Sequence, residues 1–354
     1  MRFRAEANII TRNTMNEGCV MDARAVSSKV FLRKRYDLFK ERPAIYILIL
    51  LTACAASFLY QLRANNIFAC PASGYTSDRY LSNCGAGYGD YEHGAFWFDL
   101  EPAAETSASS ADVLFLGDSR MVLAFSTPAT TNWFSSASVS FYLLGFYAFE
   151  NSIFERALLH KLKPRAEVYV IPVGDFFQPF EAPIAKKMMH DGAARNLYYV
   201  KRNLQFVHEA ICMKLPIICG NGLAVFRSRQ TGMWYMDTSR FKGRERQVSY
   251  NQQIDDREIN DAVAIGRTFL SELPVKTECV ILTVVPTVDT KLSVANAIAS
   301  ALGKKLVVPQ HLDDLQTLDG IHLEPASAER WSEAFLKAAG PQIQKCVAMD
   351  TSAQ

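Results

Sequence analysis

From Pro43 to Leu62 the chain runs PAIYILILLTACAASFLYQL, 20 residues without a charge. No other stretch restricts so strongly what this sequence can become. A helix of that length spans the ~30 Å of a bilayer's hydrocarbon. Tyr46 and Tyr60 stand near its two ends, where interfacial aromatic rings belong. Lys29, Arg33, Lys34, Arg35, Lys40 and Arg42 crowd just ahead of it. By the positive-inside rule, residues 1–42 are then a cytoplasmic tail, 43–62 a transmembrane helix, and the remainder lies outside. The 42 preceding residues exceed the charged leader of a usual signal peptide. Leu51-Thr52-Ala53-Cys54 resembles a lipoprotein box, but the apolar residues that continue to Tyr60 favour a retained span.

Cysteine usage agrees with that placement. Of the 8 cysteines, Cys19 falls in the tail and Cys54 in the span. Cys70, Cys84, Cys212, Cys219, Cys279 and Cys346 remain, an even set for which an oxidising compartment permits up to three disulfides. Cys70 with Cys84 and Cys212 with Cys219 are the closest in sequence, and the connectivity stays open. The absence of CxxC removes the signature of zinc ribbons and thioredoxin-type sites. A net charge of +2 gives no support to a nucleic-acid partner.

Residues 63–110 read as a juxtamembrane collar ending in a small, polar linker, Glu101 to Ser110. From residue 111 to 345 short apolar runs alternate with helix-like segments. The strand-like runs are Asp112–Leu116, Ser138–Leu144, Glu167–Pro172, Cys279–Val285 and Lys305–Val308. Helical patterns cover Glu150–Lys161, Asp255–Leu273, Thr290–Leu302 and Pro325–Ala339. That alternation predicts an α/β fold with a parallel sheet covered on both faces and sites at the carboxyl ends of its strands. An insertion at about 180–253 interrupts it, with a helix near Ala193–Met213 and an arginine-rich stretch from Arg227 to Arg246. That stretch is either a solvated basic surface or a face for a polyanion or sugar. Within it, Trp234 and Tyr235 are candidates for stacking on a sugar ring or for burial. Residues 346–354 read as a C-terminal tail.

The chemistry concentrates in two places. ADVLFLGDSR, from Ala111 to Arg120, reads as strand, tight turn and helix start with Ser119 at the turn. A hydroxyl there sits beside backbone N–H groups that lack intrahelical partners, which suits a nucleophile and an oxyanion hole. LDGIHL, from Leu318 to Leu323, lies just before the last helix. Its spacing lets the Asp319 carboxylate reach one nitrogen of His322, leaving the other to take a proton from Ser119. His311, followed by Asp313 and Asp314, is the competing histidine.

GDSR after a first strand and DGIHL before a last helix resemble the first and last signature blocks of the SGNH/GDSL hydrolase superfamily. The resemblance covers about residues 111–340. It implies an SGNH-like three-layer sandwich with a central parallel sheet, here joined to one N-terminal transmembrane helix. It also implies a Ser119, His322, Asp319 triad and an oxyanion hole made by the N–H groups of Ser119 and Gly145. The family's third block presents an asparagine; this chain has Gly174 and Asp175 instead, and a carboxylate repels a developing oxyanion. Asp118, Arg120 and Asp175 are expected to line the site, with Asn151, Arg120 or Gln178 as alternative donors.

Membrane-anchored branches of the superfamily act in envelope-polysaccharide acetylation. For this chain the resemblance therefore implies serine-dependent acyl transfer, as O-acetyltransferase or esterase, on a glycan or acyl-ester substrate. No metal or cofactor is needed. The expected location is the bacterial inner membrane with a periplasmic catalytic domain, and the expected partner a multi-pass membrane-bound O-acyltransferase. The competing reading is a catalytically inactive, membrane-tethered scaffold for polysaccharide assembly.

Overall fold

The apolar run forms helix α1, Pro43–Asn65, whose window Pro43–Ala64 has a mean hydropathy of 2.0 and is long and apolar enough to cross a membrane. The structure, a computed structural model, describes residues 43–351 apart from 86, 148, 310 and 311. The tail expected at 1–42, Cys19 and His311 lie outside the described residues. The chain divides after Phe58 into an N-terminal unit and a body that begins at Leu59.

In the body, β1 (Arg79–Cys84), β2 (Gly89–Asp90), α2 (Glu92–Trp97) and α3 (Pro102–Ser110) come first. Next are β3 (Val113–Asp118), α4 (Ser119–Phe125), α5 (Pro128–Ala137), β4 (Phe141–Phe146), α6 (Ser152–Leu162) and β5 (Val168–Pro172). α7 (Pro183–His190), α8 (Ala194–Cys212), β6 (Ala224–Ser228) and β7 (Trp234–Met236) form the insertion. α9 (Asp256–Ser271), β8 (Val280–Thr283), α10 (Leu292–Ala301) and α11 (Pro325–Thr351) complete the chain.

The central sheet has the order β4-β3-β5-β8, every pair parallel. All six residues of β3 are buried, as expected of a strand covered on both faces. Its side chains alternate between two cores: Leu114 and Leu116 join one, Val113 and Phe115 the other. Phe154 of α6, Phe269 of α9 and Ile298 of α10 fill the first core, and Phe125, Phe134, Trp331 and Phe335 of α4, α5 and α11 fill the second. The result is helices, sheet, helices. The expected last strand, Lys305–Val308, shrinks to one parallel bridge from Leu306 to Leu282. Pro309, with no N–H to donate, comes directly after it.

Several expectations are corrected. Residues 101–110 are not a linker: Pro102 opens α3, whose Ala104 and Ala108 are buried. Alanine-rich, small-residue composition suits a packed helix as well as a linker. The collar and the insertion are not separate decorations either. β1 and β2 from the first pair with β6 and β7 from the second in one antiparallel sheet, ordered β2-β1-β6-β7. The expected tail at 346–354 is helical through Thr351, and Cys346 within it is bonded to Cys279. The other disulfides are Cys70–Cys84 and Cys212–Cys219. The arginine-rich stretch is only partly surface. Arg227 is fully buried, Trp234 is buried, and the Tyr235 ring lies 3.3 Å below the Arg79 guanidinium, so these aromatics serve packing.

Candidate active site

The strand-to-helix turn is enforced by Gly117 and Asp118. Gly117 has φ +134, and a Cβ there would lie 2.8 Å from Pro172 Cγ, so only glycine fits. Asp118 caps α4 by accepting the Arg120 N–H at 2.9 Å. Ser119 is thereby the first residue of α4, at the carboxyl end of β3. In this sheet β4 flanks β3 on one side and β5 on the other, so the order reverses between β3 and β5. In doubly wound sheets, ligands bind outside the strand ends at that point.

The second half of the site is a tight turn. Leu318 N–H donates to His322 O at 2.7 Å, Gly320 takes φ +95, and Thr317 bridges Leu323. Asp319 Oδ1 accepts the backbone N–H groups of Ile321 and His322, each at 3.0 Å. Its Oδ2 meets His322 Nδ1 at 2.9 Å, and His322 Nε2 meets Ser119 Oγ at 2.9 Å. Burial works against the charge on Asp319. The His322 ring and the backbone N–H bonds outweigh it and hold the carboxyl well below the usual range. The three expected triad residues are thus joined in one hydrogen-bonded series, with the acid ionised.

Arg120 resolves the problem posed by Asp175. Its guanidinium bonds Asp118 Oδ2 at 2.6 Å and Asp175 Oδ2 at 2.6 Å, so the carboxylate nearest the strand end is ion-paired. Burial opposes the Arg120 charge, and the two carboxylates overcome it. Gln178 Nε2 also reaches Asp175, at 3.4 Å. Asn151 is occupied elsewhere: it caps α6 through Ile153 N–H and donates to Phe180 O. Gly145 lies opposite Gly117 in the β4–β3 register. A Cβ there would sit 2.7 Å from Val122 Cγ2 and 2.9 Å from Gly117 O. Two residues earlier, Leu143 N–H donates to Thr231 O, away from β3. Strand alternation puts the Gly145 N–H on that same outer edge. The Gly145 N–H therefore faces away from the Ser119 turn, against its expected place in the oxyanion hole, and the missing side chain is what leaves room for the turn.

Behind the turn lies a buried polar layer that no motif announced. Glu155 Oε1 accepts the Gly117 N–H at 2.7 Å, its Oε2 has no hydrogen-bond partner among the described residues, and burial pushes its carboxyl up. Glu92 accepts the Tyr147 N–H at 2.7 Å and His93 bonds Glu150 at 3.0 Å, so both brace the loop after β4. The only available signal was a polar residue on an otherwise apolar helix face, as in SIFERALL. Asp90, Glu92 and His93 lie close enough together to hold a cation. Their donors and acceptors are instead taken up by Tyr147, Glu150, Tyr198, Arg227 and each other, and the Arg227 guanidinium 3.1 Å from Glu92 disfavours a metal ion.

A cleft of about 290 Å³ opens beside the turn, lined by Arg120, Phe149, Asp175, Thr287, Lys291 and Ile321 among others. Val284 and Val285, just past β8, add apolar surface to its lining. No protein-family model matches the chain, and no curated protein or solved structure matches it.

Proposed function

We propose that this chain is an SGNH-type acyl-transfer enzyme with Ser119 as nucleophile. The unbroken series from Ser119 Oγ through both ring nitrogens of His322 to Asp319, 2.9 Å at each step, carries the assignment. Ser119 Oγ attacks the carbonyl carbon of an ester while its proton passes to His322 Nε2. Asp319 holds Nδ1–H and stabilises the imidazolium. The tetrahedral oxyanion accepts the Ser119 N–H at the start of α4, and Gly145 lets the neighbouring strand end approach this turn closely. Collapse expels the alcohol, which takes the proton from His322 and leaves the acyl group on Ser119. A second hydroxyl then repeats the steps in reverse: water in an esterase, a sugar hydroxyl in a transferase.

The apolar helix α1 and three disulfides in the body support an inner-membrane anchor with the body on the oxidising, periplasmic side. No cytosolic acyl donor reaches that side unaided. A multi-pass membrane-bound O-acyltransferase is therefore the partner class that would supply the acyl group, and an envelope glycan the acceptor. The second reading, an inactive tethered scaffold, is favoured by Asp175 standing where a side-chain oxyanion donor was expected.

Turnover of a chromogenic acetyl ester by the purified full chain separates the two readings. The enzyme hydrolyses it and is labelled by a fluorophosphonate, and Ser119→Ala loses about 10³-fold or more of the rate. If Ser119→Ala keeps the wild-type rate, Ser119 is not the nucleophile. If the wild type neither turns over nor labels, the scaffold reading stands.

A further inference from the structure

Helix α8 has a wider apolar sector than the body covers. Ala194, Tyr198, Gln205, His208 and Cys212 form its buried face. Beside that face Leu197, Val200, Leu204 and Val207 are 43%, 54%, 38% and 47% exposed. They recur at i, i+3, i+7 and i+10, one stripe along the helix. The stripe continues past the helix end through Met213, Leu215 and Ile217, exposed by 63%, 54% and 76%. By the same spacing Arg195, Arg202 and Glu209 fall on the opposite flank, and Lys201 turns back to the Asp90 carbonyl. The stripe meets no charge before Lys214. An uncovered apolar row of this extent marks a docking surface.

What it docks on is indicated by where the chain is tied. Gly220 N–H donates to Phe68 O at 2.6 Å, Gly222 N–H donates to Ala69 O at 2.8 Å, and His208 Nε2 meets Cys70 O at 3.1 Å. The residues directly after α1 are thus bonded both to α8 and to the segment after Ile217. Between Leu62, the end of the apolar run, and Phe68 the chain reaches about 20 Å at full extension. We propose that the stripe lies on the surface of the bilayer that α1 enters. Its apolar side chains sit in the boundary between headgroups and acyl chains, as those of an interfacial helix do, and Lys214 sits among the headgroups. This rests on reading α1 as a membrane span. The body then has a second attachment to the membrane besides its tether.

Depth-dependent quenching tests the proposal with the full chain in phosphatidylethanolamine–phosphatidylglycerol vesicles, with and without brominated acyl chains. A thiol-reactive fluorophore is placed on Cys54 in a Cys19→Ser chain. In a Cys19→Ser, Cys54→Ser chain it is placed on Leu204→Cys, Leu215→Cys or, as an exposed control on α11, Glu333→Cys. Brominated lipid is expected to quench the labels at 54, 204 and 215 and to spare 333. If 54 is quenched while 204 and 215 respond no more than 333, docking is overturned and the span stands; that result would also be seen if the stripe faced a protein. If 54 itself is not quenched, the span fails and docking fails with it.

Discussion

Burial works against the charge on Asp319, and the His322 imidazole, with two backbone N–H groups beside it, outweighs that burial. Together they keep the carboxylate ionised far into acid, so loss of activity on mild acidification does not arise from this group. Asp319→Asn preserves the shape but offers His322 an amide, and ester turnover is expected to fall about 10³–10⁴-fold in kcat with little change in KM. Steady-state kinetics beside an unchanged circular dichroism spectrum checks this. His93 poses the opposite case. Burial opposes its charge, but Asp90 and Glu150 flank the ring and push its pKa up to about 10. A raised folded value means stabilisation that is complete below the unfolded value of about 6.5 and is lost as pH climbs through about 10. Thermal melts across that window should show the wild type losing stability more steeply than His93→Gln. The hydrogen-bonded series of Ser119, His322 and Asp319 was legible as a candidate because each half of it lies within a few residues of its own motif. His93 and Glu150, 57 residues apart with no motif between them, were not.

At the scale of elements, the site depends on how closely β4 can approach the β3–α4 turn. Gly145 faces the carbonyl oxygens of Gly117 and Asp118 at 2.9 and 3.1 Å from where a Cβ would stand. Backbone cannot step aside as a flexible side chain can, so Gly145→Ala is expected to cost stability and to shift Ser119 from His322. Activity should then fall by more than stability alone explains, and Phe141→Leu, at the opposite end of β4 where it pairs with Val113, is the comparison. Denaturant midpoints together with kcat measure both. The strands of the central sheet were legible as apolar runs to within a few residues. Lys305–Val308 was not, because its pairing stops at one bridge to Leu282, and apolar content carries no measure of how far a ladder extends. α3 was misjudged because small residues carry almost no periodic signal.

Across the whole molecule, two sheets are joined by a buried ion pair. Arg227 of β6 donates to Glu92 at 3.1 Å and to Leu143 O of β4 at 2.5 Å, with both charged side chains fully buried. Removing one partner strands the other in a low-dielectric interior. Arg227→Met or Glu92→Gln alone is expected to lower unfolding free energy by about 3–5 kcal/mol. The combined Glu92→Gln, Arg227→Met variant should cost less than the sum of the two, and a double-mutant cycle in denaturant reads the difference. The basic stretch containing Arg227 gave no hint of this, since a buried and an exposed arginine look alike in sequence.

What the sequence determined by itself is whatever neighbouring residues decide among themselves. An uncharged run of membrane length, the β–α alternation, a Gly-Asp turn before Ser119 and a carboxylate three residues from His322 are all of that kind. Tertiary structure alone decided the rest: that the collar and the insertion share one sheet, that Arg120 neutralises Asp175, and that Ser119 and His322 meet at 2.9 Å. Ladder partners and buried ion pairs are chosen among residues distant along the chain, by which surfaces can be covered together, and local pattern carries no record of that choice.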